Sequence, residues 1–393
     1  MYIPRLLTSA VRKAVGLFPA VLVTGPRQSG KTTFLLEEFK HKSSYVSFDD
    51  PLQRDFARTD PNRFLGQFDD NPLILDEIQY VPEILPYLKM SIDRNRNKTG
   101  KWLLTGSQQF HLMKNISESL AGRIAIFELL PFSLIEYTEK KKIDDLIWNG
   151  GYPEPSLNHA KREVWISSYI QTYIERDVRQ LQNIKDIRVF ESFIGLLAAR
   201  HAQIFNASIL SRECGVSVPT IKSWLSVLEA SYLCILLPPY YKNYGKRLVK
   251  SPKLYFIDSS IVCELTRQPD KKSAIAGAMA GALFEGFIIS ETVKIFASAG
   301  KKKNISFWRS HDGLEVDLII QLDKKLYPVE IKLTATPSVG HLQAIEKFKL
   351  LAGKDASPTG LLVCATDKVV NMPGNNIALP YFKFSEWLKS QLM

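Results

Sequence analysis

Cysteine and histidine, which dominate metal centres and redox sites, are scarce in this sequence. Among 393 residues there are four cysteines and six histidines, and the cysteines are scattered through the second half of the chain. No Cys-x-x-Cys pair is present, which argues against a zinc site or a dithiol redox site. We therefore expect reduced, buried thiols in a protein of the cytoplasm.

Long hydrophobic runs are also missing. No apolar stretch approaches the ~18 residues that span a bilayer, and the short apolar stretch near the N-terminus continues into a predicted strand. We therefore expect neither a membrane partner nor a signal peptide. The chain is too long for one compact core, so we expect two or three domains. Its net charge of +11 permits an acidic partner such as nucleic acid without requiring one.

What the sequence does contain is a glycine-rich stretch with the pattern of a phosphate-binding P-loop, between a short apolar strand (Ala20 to Thr24) and a helical pattern. The two glycines allow the backbone to approach an anion that the loop amides and the helix N-terminus would bind. Lys31 would reach the β- and γ-phosphates of ATP, and the Thr32 hydroxyl would bind Mg²⁺. The alternative is a glycine-rich turn that contains a lysine by chance. The predicted nucleotide contacts are Gly25, Pro26, Arg27, Gln28, Ser29, Gly30, Lys31, Thr32 and Thr33.

A second apolar strand, Pro72 to Leu75, ends in two acids, which is the pattern of a Walker B segment. Asp76 would hold Mg²⁺, directly or through water, and Glu77 would orient and polarise the attacking water. The alternative is a strand end whose acids cap the next helix. Its position after a P-loop favours the catalytic interpretation.

Two further segments carry candidates for sensing the γ-phosphate and stabilising its charge. After the strand Lys101 to Thr105, a polar side chain would lie between the P-loop and Walker B strands, with Ser107 or Thr105 as the sensor. Simple turn chemistry is the alternative. Arg123 precedes a fifth strand, Ile124 to Leu129, where an arginine can stabilise transition-state charge in its own subunit or in a neighbouring one. A surface or capping arginine is the alternative there.

The middle of the chain has a helix-turn-helix pattern. Ser208 would cap the first helix, Gly215 would make the turn and Ser217 would cap the second helix. The second helix, Thr220 to Glu229, is placed to enter a major groove, but it carries one lysine and no arginine. A packing role for this module is therefore the alternative.

The segments around this pattern have distinct compositions. Residues 150 to 155 are dense in glycine and proline and predict a linker or hinge. Residues 163 to 200 predict a helical lid. A basic run from Lys242 to Lys253 is interleaved with tyrosines and contains no acid, which suits a nucleic-acid backbone with exposed bases. A solvated basic surface is the alternative for this run.

Near the C-terminus, two strands predict a hairpin around Asp323-Lys324. With a two-residue turn, Asp317 faces Glu330 and Glu315 faces Lys332, all on one face. Opposed carboxylates with a nearby lysine can bind Mg²⁺ and activate water for attack on a phosphodiester. The alternative is the solvated face of an amphipathic hairpin. The other, apolar face would carry Val316, Leu318, Ile320, Val329, Ile331 and Leu333.

Taken together, the chain up to about residue 340 resembles a bacterial and archaeal ATP-binding family that joins an AAA+ core to a winged helix and a restriction-endonuclease-like domain. The resemblance implies that Asp317, Glu330 and Lys332 form a PD-(D/E)xK nuclease site, and that Glu285 is that fold's additional helical carboxylate. Val316 stands where the motif's name has proline. The matching segments are Gly25–Thr33, Leu73–Gln79, Leu104–Ser107, Leu120–Arg123, Gly150–Glu154, Tyr173–Val178, Lys246–Phe256 and Glu315–Lys332.

We therefore predict an α/β protein with a P-loop AAA+ ATPase core (residues 1–148), a helical lid with a winged helix-turn-helix (149–250) and a C-terminal α/β restriction-endonuclease-like domain (251–393). The leading interpretation is hydrolysis of ATP, with Mg²⁺, to act on nucleic acid, DNA in preference to RNA, with metal-dependent cleavage and oligomerisation left open. The alternative is a nucleotide-switched binding or regulatory module whose nuclease-like domain is silent. A conventional transcriptional regulator is a third interpretation, which the weakly basic recognition helix disfavours.

Overall fold

The computed structural model describes residues 2–39, 43–68, 71–107, 115–116, 118–137, 141–173, 187–241 and 251–393. Two compact units are present. The first comprises Met1–Phe132, Ala230–Tyr232 and Phe296–Lys301, and the second comprises Ser133–Glu229, Leu233–Ile295 and Lys302–Met393. In these ranges we find no helix with the length and apolar character needed to cross a membrane.

The first unit is built on a parallel sheet of five strands. These are β1 (Ala20–Gly25), β2 (Ser44–Ser47), β3 (Leu73–Asp76), β4 (Trp102–Ser107) and β5 (Ile124–Glu128). Their order in the sheet is β2-β3-β4-β1-β5. The strand β4, which ends in the predicted sensor residues, therefore lies between the P-loop strand β1 and the Walker B strand β3, as the prediction for those residues requires. Both β1 and β4 are buried along their whole length, as expected for parallel strands covered on both faces.

Helices cover both faces of this sheet. They are α1 (Thr8–Val15), α2 (Lys31–Phe39), α3 (Pro51–Thr59), α4 (Pro61–Gly66) and α5 (Leu85–Arg94). Successive residues of β1 pack into different hydrophobic cores. Val23 packs with α1 and α2, whereas Leu22 packs with α3 to α5. This is the period of two that strand geometry requires.

The second unit begins with helices and a three-stranded sheet. The helices are α6 (Ile143–Asn149), α7 (Pro153–Leu157), α8 (Arg162–Tyr173), α9 (Ile187–Ala198), α10 (Ala207–Cys214), α11 (Val218–Ala230), α12 (Ser259–Leu265), α13 (Lys271–Ala276) and α14 (Ala280–Ser298). The strands are β6 (Gln203–Ile204), β7 (Cys234–Leu237) and β8 (Lys253–Phe256), in the order β6-β8-β7.

The helix-turn-helix pattern corresponds to α10 and α11. Gly215 adopts φ 66°, which ends α10, and the Ser217 hydroxyl accepts a hydrogen bond from the Thr220 amide at 3.2 Å. Both predictions are confirmed. The predicted cap at Ser208 is wrong, because α10 begins at Ala207 and Asn206, two residues before Ser208, takes the cap position. The Asn206 Oδ1 accepts hydrogen bonds from the amides of Ser208 and Ile209, both at 3.1 Å.

The glycine-rich segment before α7 is packed, which corrects the prediction of a linker. Gly150, Gly151 and Tyr152 are buried, and the Gly151 amide donates to Asp258 Oδ2 at 2.7 Å. A Cβ on Gly150, whose φ is 70°, would collide with Asp258 Oδ1. These glycines therefore allow a close backbone approach. Residues 174–186 of the predicted lid, and the basic run up to Lys250, lie outside the described residues.

The C-terminal part forms a six-stranded mixed sheet. Its strands are β9 (Ile305–Arg309), β10 (Glu315–Leu322), β11 (Lys325–Lys332), β12 (Leu361–Cys364), β13 (Val370–Met372) and β14 (Asn376–Pro380), in the order β13-β14-β12-β11-β10-β9. The helices are α15 (Gln343–Ala352) and α16 (Tyr381–Leu392). Leu322 pairs with Lys325, so the predicted two-residue turn is confirmed.

The alternation of faces along β10 differs from the prediction. The pairing of β10 with β9 shifts between Val316 and Ile319, and these two residues share one core with Leu326 and Phe348. A bulge of this kind offsets the period of two by one residue. Val316 therefore does not share a face with Ile320, and the opposite side of the strand is also buried.

His201 lies fully buried next to β8, and this position generates a prediction about pH. The Phe256 amide donates to His201 Nδ1 at 3.1 Å, and a Cβ on Gly286 would collide with the ring. Burial, helped by the nearby charge of Lys253, lowers the pKa of His201 to about 3. The folded protein therefore keeps this ring neutral, while the unfolded chain binds a proton below about pH 6.5.

We expect this histidine to destabilise the fold as pH falls from about 6.5 to 3, by at most about 1.4 kcal/mol per pH unit. His201→Asn keeps a hydrogen-bond acceptor but has no basic group, so its urea midpoint should fall less between pH 7 and pH 4 than that of the wild type. The exposed His311→Asn is the matched control. Parallel pH profiles of wild type and His201→Asn would contradict the prediction.

Candidate nucleotide-binding site and acid cluster

The P-loop lies between β1 and α2 and encloses the Lys31 amine. Lys31 is buried, and its Nζ donates to the carbonyl oxygens of Gly25 at 3.3 Å and Pro26 at 2.9 Å. The tight path requires positive φ at Gln28 (58°) and Gly30 (90°). Arg27 and Gln28 lie on the loop, and Thr33 lies exposed in the first turn of α2.

Two contacts hold this loop in place. A Cβ on Gly25, whose φ is 148°, would collide with the Leu129 carbonyl oxygen, so only glycine fits where β1 enters the loop. The buried Arg5 guanidinium donates to the carbonyl oxygens of Ser29 at 3.0 Å and Leu130 at 2.6 Å. The Ser29 hydroxyl is buried and has no hydrogen-bond partner. Sequence patterns did not reveal the role of Arg5, because its contacts lie far along the chain.

Asp76, at the end of β3, is the centre of a hydroxyl network. Its Oδ1 accepts from Thr32 Oγ1 at 2.8 Å and also from Thr105 Oγ1, and its Oδ2 accepts from the Tyr45 hydroxyl at 3.1 Å. Burial and the charge of Asp76 raise the pKa of Tyr45 to about 12. The two residues that the sequence predicts as Mg²⁺ ligands at this site, Thr32 and Asp76, are therefore in direct contact. Tyr45 was not predicted.

Glu77 lies beside both predicted sensor residues. It adopts φ 55°, its amide donates to Thr105 Oγ1 at 3.0 Å, and its carboxylate accepts from the Gln79 amide group. The same Gln79 Nε2 lies 3.2 Å from Ser107 Oγ, to which it donates. Gln79 therefore links Glu77 to Ser107. Its position two residues after Glu77 was the available sequence signal, and it was missed.

Arg123 lies at the other end of the sheet from the P-loop. Ala20, the first residue of β1, pairs with Ile124, whereas the P-loop follows the last residue of β1, about 17 Å further along the strand. The Arg123 guanidinium binds both carboxylate oxygens of Asp93, at 2.9 and 3.0 Å. Arg123 therefore does not reach a nucleotide in its own P-loop, and a role in a neighbouring subunit stays a prediction.

The second unit contains a cluster of four acids that we call the acid cluster: Glu285 of α14, Glu315 and Asp317 of β10, and Glu330 of β11. Lys332 Nζ lies 2.7 Å from Glu330 Oε1 and 3.4 Å from Asp317 Oδ2. The Ile331 amide also donates to Asp317 Oδ2, at 2.9 Å. The predicted approach of Asp317, Glu330 and Lys332 is therefore present in the structure.

A second lysine, from β8, enters the acid cluster. Lys253 Nζ lies 2.7 Å from Glu285 Oε1, 2.7 Å from Glu315 Oε1 and 3.9 Å from Asp317 Oδ1. The Tyr255 hydroxyl donates to Glu285 Oε1 at 2.6 Å. The prediction that Lys253 belongs to an exposed basic surface is wrong, because its side chain is 4% exposed.

Acidic groups outnumber basic groups in the acid cluster. Two lysines, with the exposed Arg309 3.9 Å from Glu315, face four carboxylates. Burial and the charge of Asp317 raise the pKa of Glu330 to about 8 and also raise the pKa of Glu285. Glu330 Oε2 is buried without a hydrogen-bond partner. Within the described ranges, no three Asp, Glu, His or Cys side chains converge as a metal site.

The sheet order, the loop and the acid-tipped neighbouring strand define the first unit as a P-loop ATPase of the AAA type. A family described as "AAA domain" matches residues 17–138. Two families described as domains of unknown function, DUF8612 and DUF4143, match residues 140–272 and 280–384.

The chain is 32% identical over 335 residues to the uncharacterized protein Rv2008c of Mycobacterium tuberculosis, and equally to Mb2031c of Mycobacterium bovis. These matches cover 84% of this chain and 74% of each relative, so the chain belongs to the family of these two mycobacterial proteins. The uncharacterized protein MJ1544 of Methanocaldococcus jannaschii is 27% identical over 368 residues, which cover 83% of this chain and 78% of that protein.

Solved structures are similar to this chain at lower identity. The Walker-type ATPase PABY2304 of Pyrococcus abyssi matches with a TM-score of 0.42 and 14% identity, over 66% of this chain and 94% of that one. AMPPCP-bound DnaA from Aquifex aeolicus matches with a TM-score of 0.30 and 16% identity, over 57% and 84% of the two chains.

The position of Gln79 predicts that its replacement slows ATP turnover without weakening nucleotide binding. Gln79→Leu should lower kcat for ATP by about 10- to 100-fold, because Glu77 loses the donor that orients its carboxylate. Nucleotide affinity should change little, since Gln79 contacts Glu77 and Ser107 and not the P-loop. Steady-state hydrolysis and fluorescent-nucleotide titration measure the two effects, with the exposed Gln67→Leu as control. Unchanged turnover would count against a role for this link.

Proposed function

We propose that the protein binds ATP with Mg²⁺ in its first unit, hydrolyses it, and uses this cycle to control a second unit that acts on nucleic acid. The contact that carries the ATP proposal is the 2.8 Å hydrogen bond from Thr32 to Asp76. It brings a P-loop hydroxyl and a Walker B carboxylate to one point. We assign the ATPase core to residues 1–148, the helical lid and helix-turn-helix to residues 149–250, and the C-terminal domain to residues 251–393.

The residues of the site fit both ligands. Thr32 and Asp76 supply the hard oxygen ligands that Mg²⁺ prefers. The buried Ser29 hydroxyl has no partner within the protein and is therefore available to a phosphate oxygen. Lys31 would exchange the carbonyls of its own loop for phosphate oxygens. When bound, the ion neutralises negative charge on the β- and γ-phosphates.

The remaining residues have roles in positioning the reaction. Glu77, held by Gln79, would orient the attacking water and accept its hydrogen bond. Thr105 and Ser107, which contact Asp76 or Gln79, would report the presence of the γ-phosphate to β4. This assignment divides the work between Lys31, which binds, and Glu77, which acts on water.

That division predicts two distinct variants. Lys31→Ala should weaken ATP binding by about 100-fold or more, because the buried amine is lost. Glu77→Gln should bind ATP normally and hydrolyse it about 100- to 1,000-fold more slowly, because the amide orients water poorly. Equilibrium binding and single-turnover hydrolysis separate the effects, and the exposed Glu83→Gln is the control. Equal turnover by wild type and Glu77→Gln would remove Glu77 from this role.

A second activity, metal-dependent cleavage of nucleic acid, is favoured by the acid cluster. Asp317 and Glu330 share one lysine, and Glu330 Oε2 is buried without a partner. An excess of buried carboxylate is stabilised by a divalent cation. Asp317 and Glu330 would hold the ion, which would supply an activated water, and Lys332 would stabilise charge on the phosphodiester. Glu285 would support the site from α14.

Nucleic acid is the partner that the helix-turn-helix supports. Helices α10 and α11 carry the predicted turn, and Lys222 on α11 is exposed. The net charge of +11 favours association with a phosphate backbone. DNA is the preferred substrate in this proposal, since this module presents a helix of the size that a major groove accepts.

Cleavage is tested with labelled single-stranded and duplex DNA and RNA, with Mg²⁺ or Mn²⁺, with and without ATP. We expect cleavage by the wild type that EDTA abolishes, and loss of at least about 100-fold in Asp317→Asn, because the buried ligand charge is removed. Asp323→Asn, an exposed change in the turn of the same hairpin, is the control. Cleavage that persists in Asp317→Asn belongs to another site, and absence of cleavage favours a nucleotide-switched binding module.

A further inference from the structure

Lys253 occupies the middle of the acid cluster, although it belongs to a different sheet from the hairpin. It is the first residue of β8, and Tyr255 projects from the same face of that strand toward Glu285. The Lys253 amine reaches carboxylates of α14 and β10, at 2.7 Å, 2.7 Å and 3.9 Å. The rings of Tyr255 and Phe307 border the amine at 5.8 and 6.0 Å.

These contacts are those of a cation surrounded by oxygen ligands. An ammonium group has three donors and no acceptor, so carboxylate oxygens around it are arranged much as they are around a metal ion. Burying several acids without such a charge would be strongly unfavourable, because each carboxylate loses its hydration. Lys253 therefore provides the charge that the buried part of the acid cluster requires.

The two lysines also divide the four acids. Lys253 holds Glu285 and Glu315, and Lys332 holds Glu330 together with one oxygen of Asp317. With the Lys253 amine in this position, no three acids among the described residues are placed to hold a metal ion together. Glu330 Oε2 remains buried and without a partner at the edge of this division.

We propose that Lys253 is an internal cation that competes with a divalent metal ion for Asp317 and for its supporting acid Glu285, and so holds the acid cluster in a metal-free state. This inference rests on the metal-binding role proposed above for the second unit. The lysine side chain has four rotatable carbon–carbon bonds, so its amine can leave the acids when a stronger cation arrives. The wild-type protein then binds a divalent ion more weakly than its carboxylates alone would allow.

The test is Mn²⁺ binding by the full-length chain without nucleotide, measured by calorimetry and by thermal unfolding. Lys253→Met should bind Mn²⁺ at least about 10-fold more tightly than the wild type, and its Tm should rise by about 5–10 °C at a hundredfold excess of Mn²⁺ over Kd. Lys325→Met is the matched control. Lys325 lies on the same hairpin, but its amine donates to the Lys354 carbonyl and not to an acid of the cluster.

Removal of Lys253 alone leaves buried carboxylates without their cation, which could prevent folding. A second variant therefore removes one carboxylate as well. Lys253→Met with Glu315→Gln removes one cation and one acid, and it should also bind Mn²⁺ more tightly than the wild type. If every folded variant binds Mn²⁺ no more tightly than the wild type, Lys253 is a structural ion pair and the proposal is overturned.

The cleavage assay distinguishes this inference from the proposed activity. Tighter Mn²⁺ binding by Lys253→Met without cleavage by any variant supports the role of Lys253 and contradicts the nuclease proposal. Metal-dependent cleavage by the wild type, with no gain of Mn²⁺ affinity in Lys253→Met, supports the nuclease proposal and contradicts the role of Lys253.

Discussion

The Asp76 carboxylate is the point on which the nucleotide site depends. Three hydroxyl groups, from Thr32, Thr105 and Tyr45, donate to its two oxygens. These donors come from α2, β4 and β2, and they meet because the carboxyl ends of parallel strands lie at one edge of the sheet. A buried carboxylate without such donors would cost several kcal/mol. The order of strands and the chemistry of the site therefore support each other.

In the acid cluster, lysines stabilise the buried carboxylates in place of the hydroxyl groups that surround Asp76. Lys253 and Lys332 each contact two or more carboxylates, and the carboxylates still outnumber the two lysines. The raised pKa of Glu330 is the consequence of burial and of the nearby Asp317. Because these carboxylates are paired with cations, the acid cluster is sensitive to the addition or removal of any cation.

Much of the fold was predictable from local patterns. The P-loop, the five parallel strands, the turns at Gly215 and Asp323-Lys324 and the hairpin register each depend on residues close in sequence. Departures arose where packing decided the local conformation. The glycines at 150 and 151 serve contact with Asp258 instead of flexibility, and a bulge in β10 changes which side chains share a face.

The sequence by itself determined the chemistry present at each strand end, because a P-loop, an acid-tipped strand and a two-residue hairpin turn are short-range features. Only the tertiary structure decided which side chains complete each site. Arg5 reaches Ser29 across 24 residues, and Lys253 reaches Glu315 across 62 residues. No periodicity or spacing records such contacts, since they depend on how separate elements pack. The assignment of Lys253 shows the physical reason: its sequence neighbours predict an exposed basic surface, but the charges around it are set by α14 and β10.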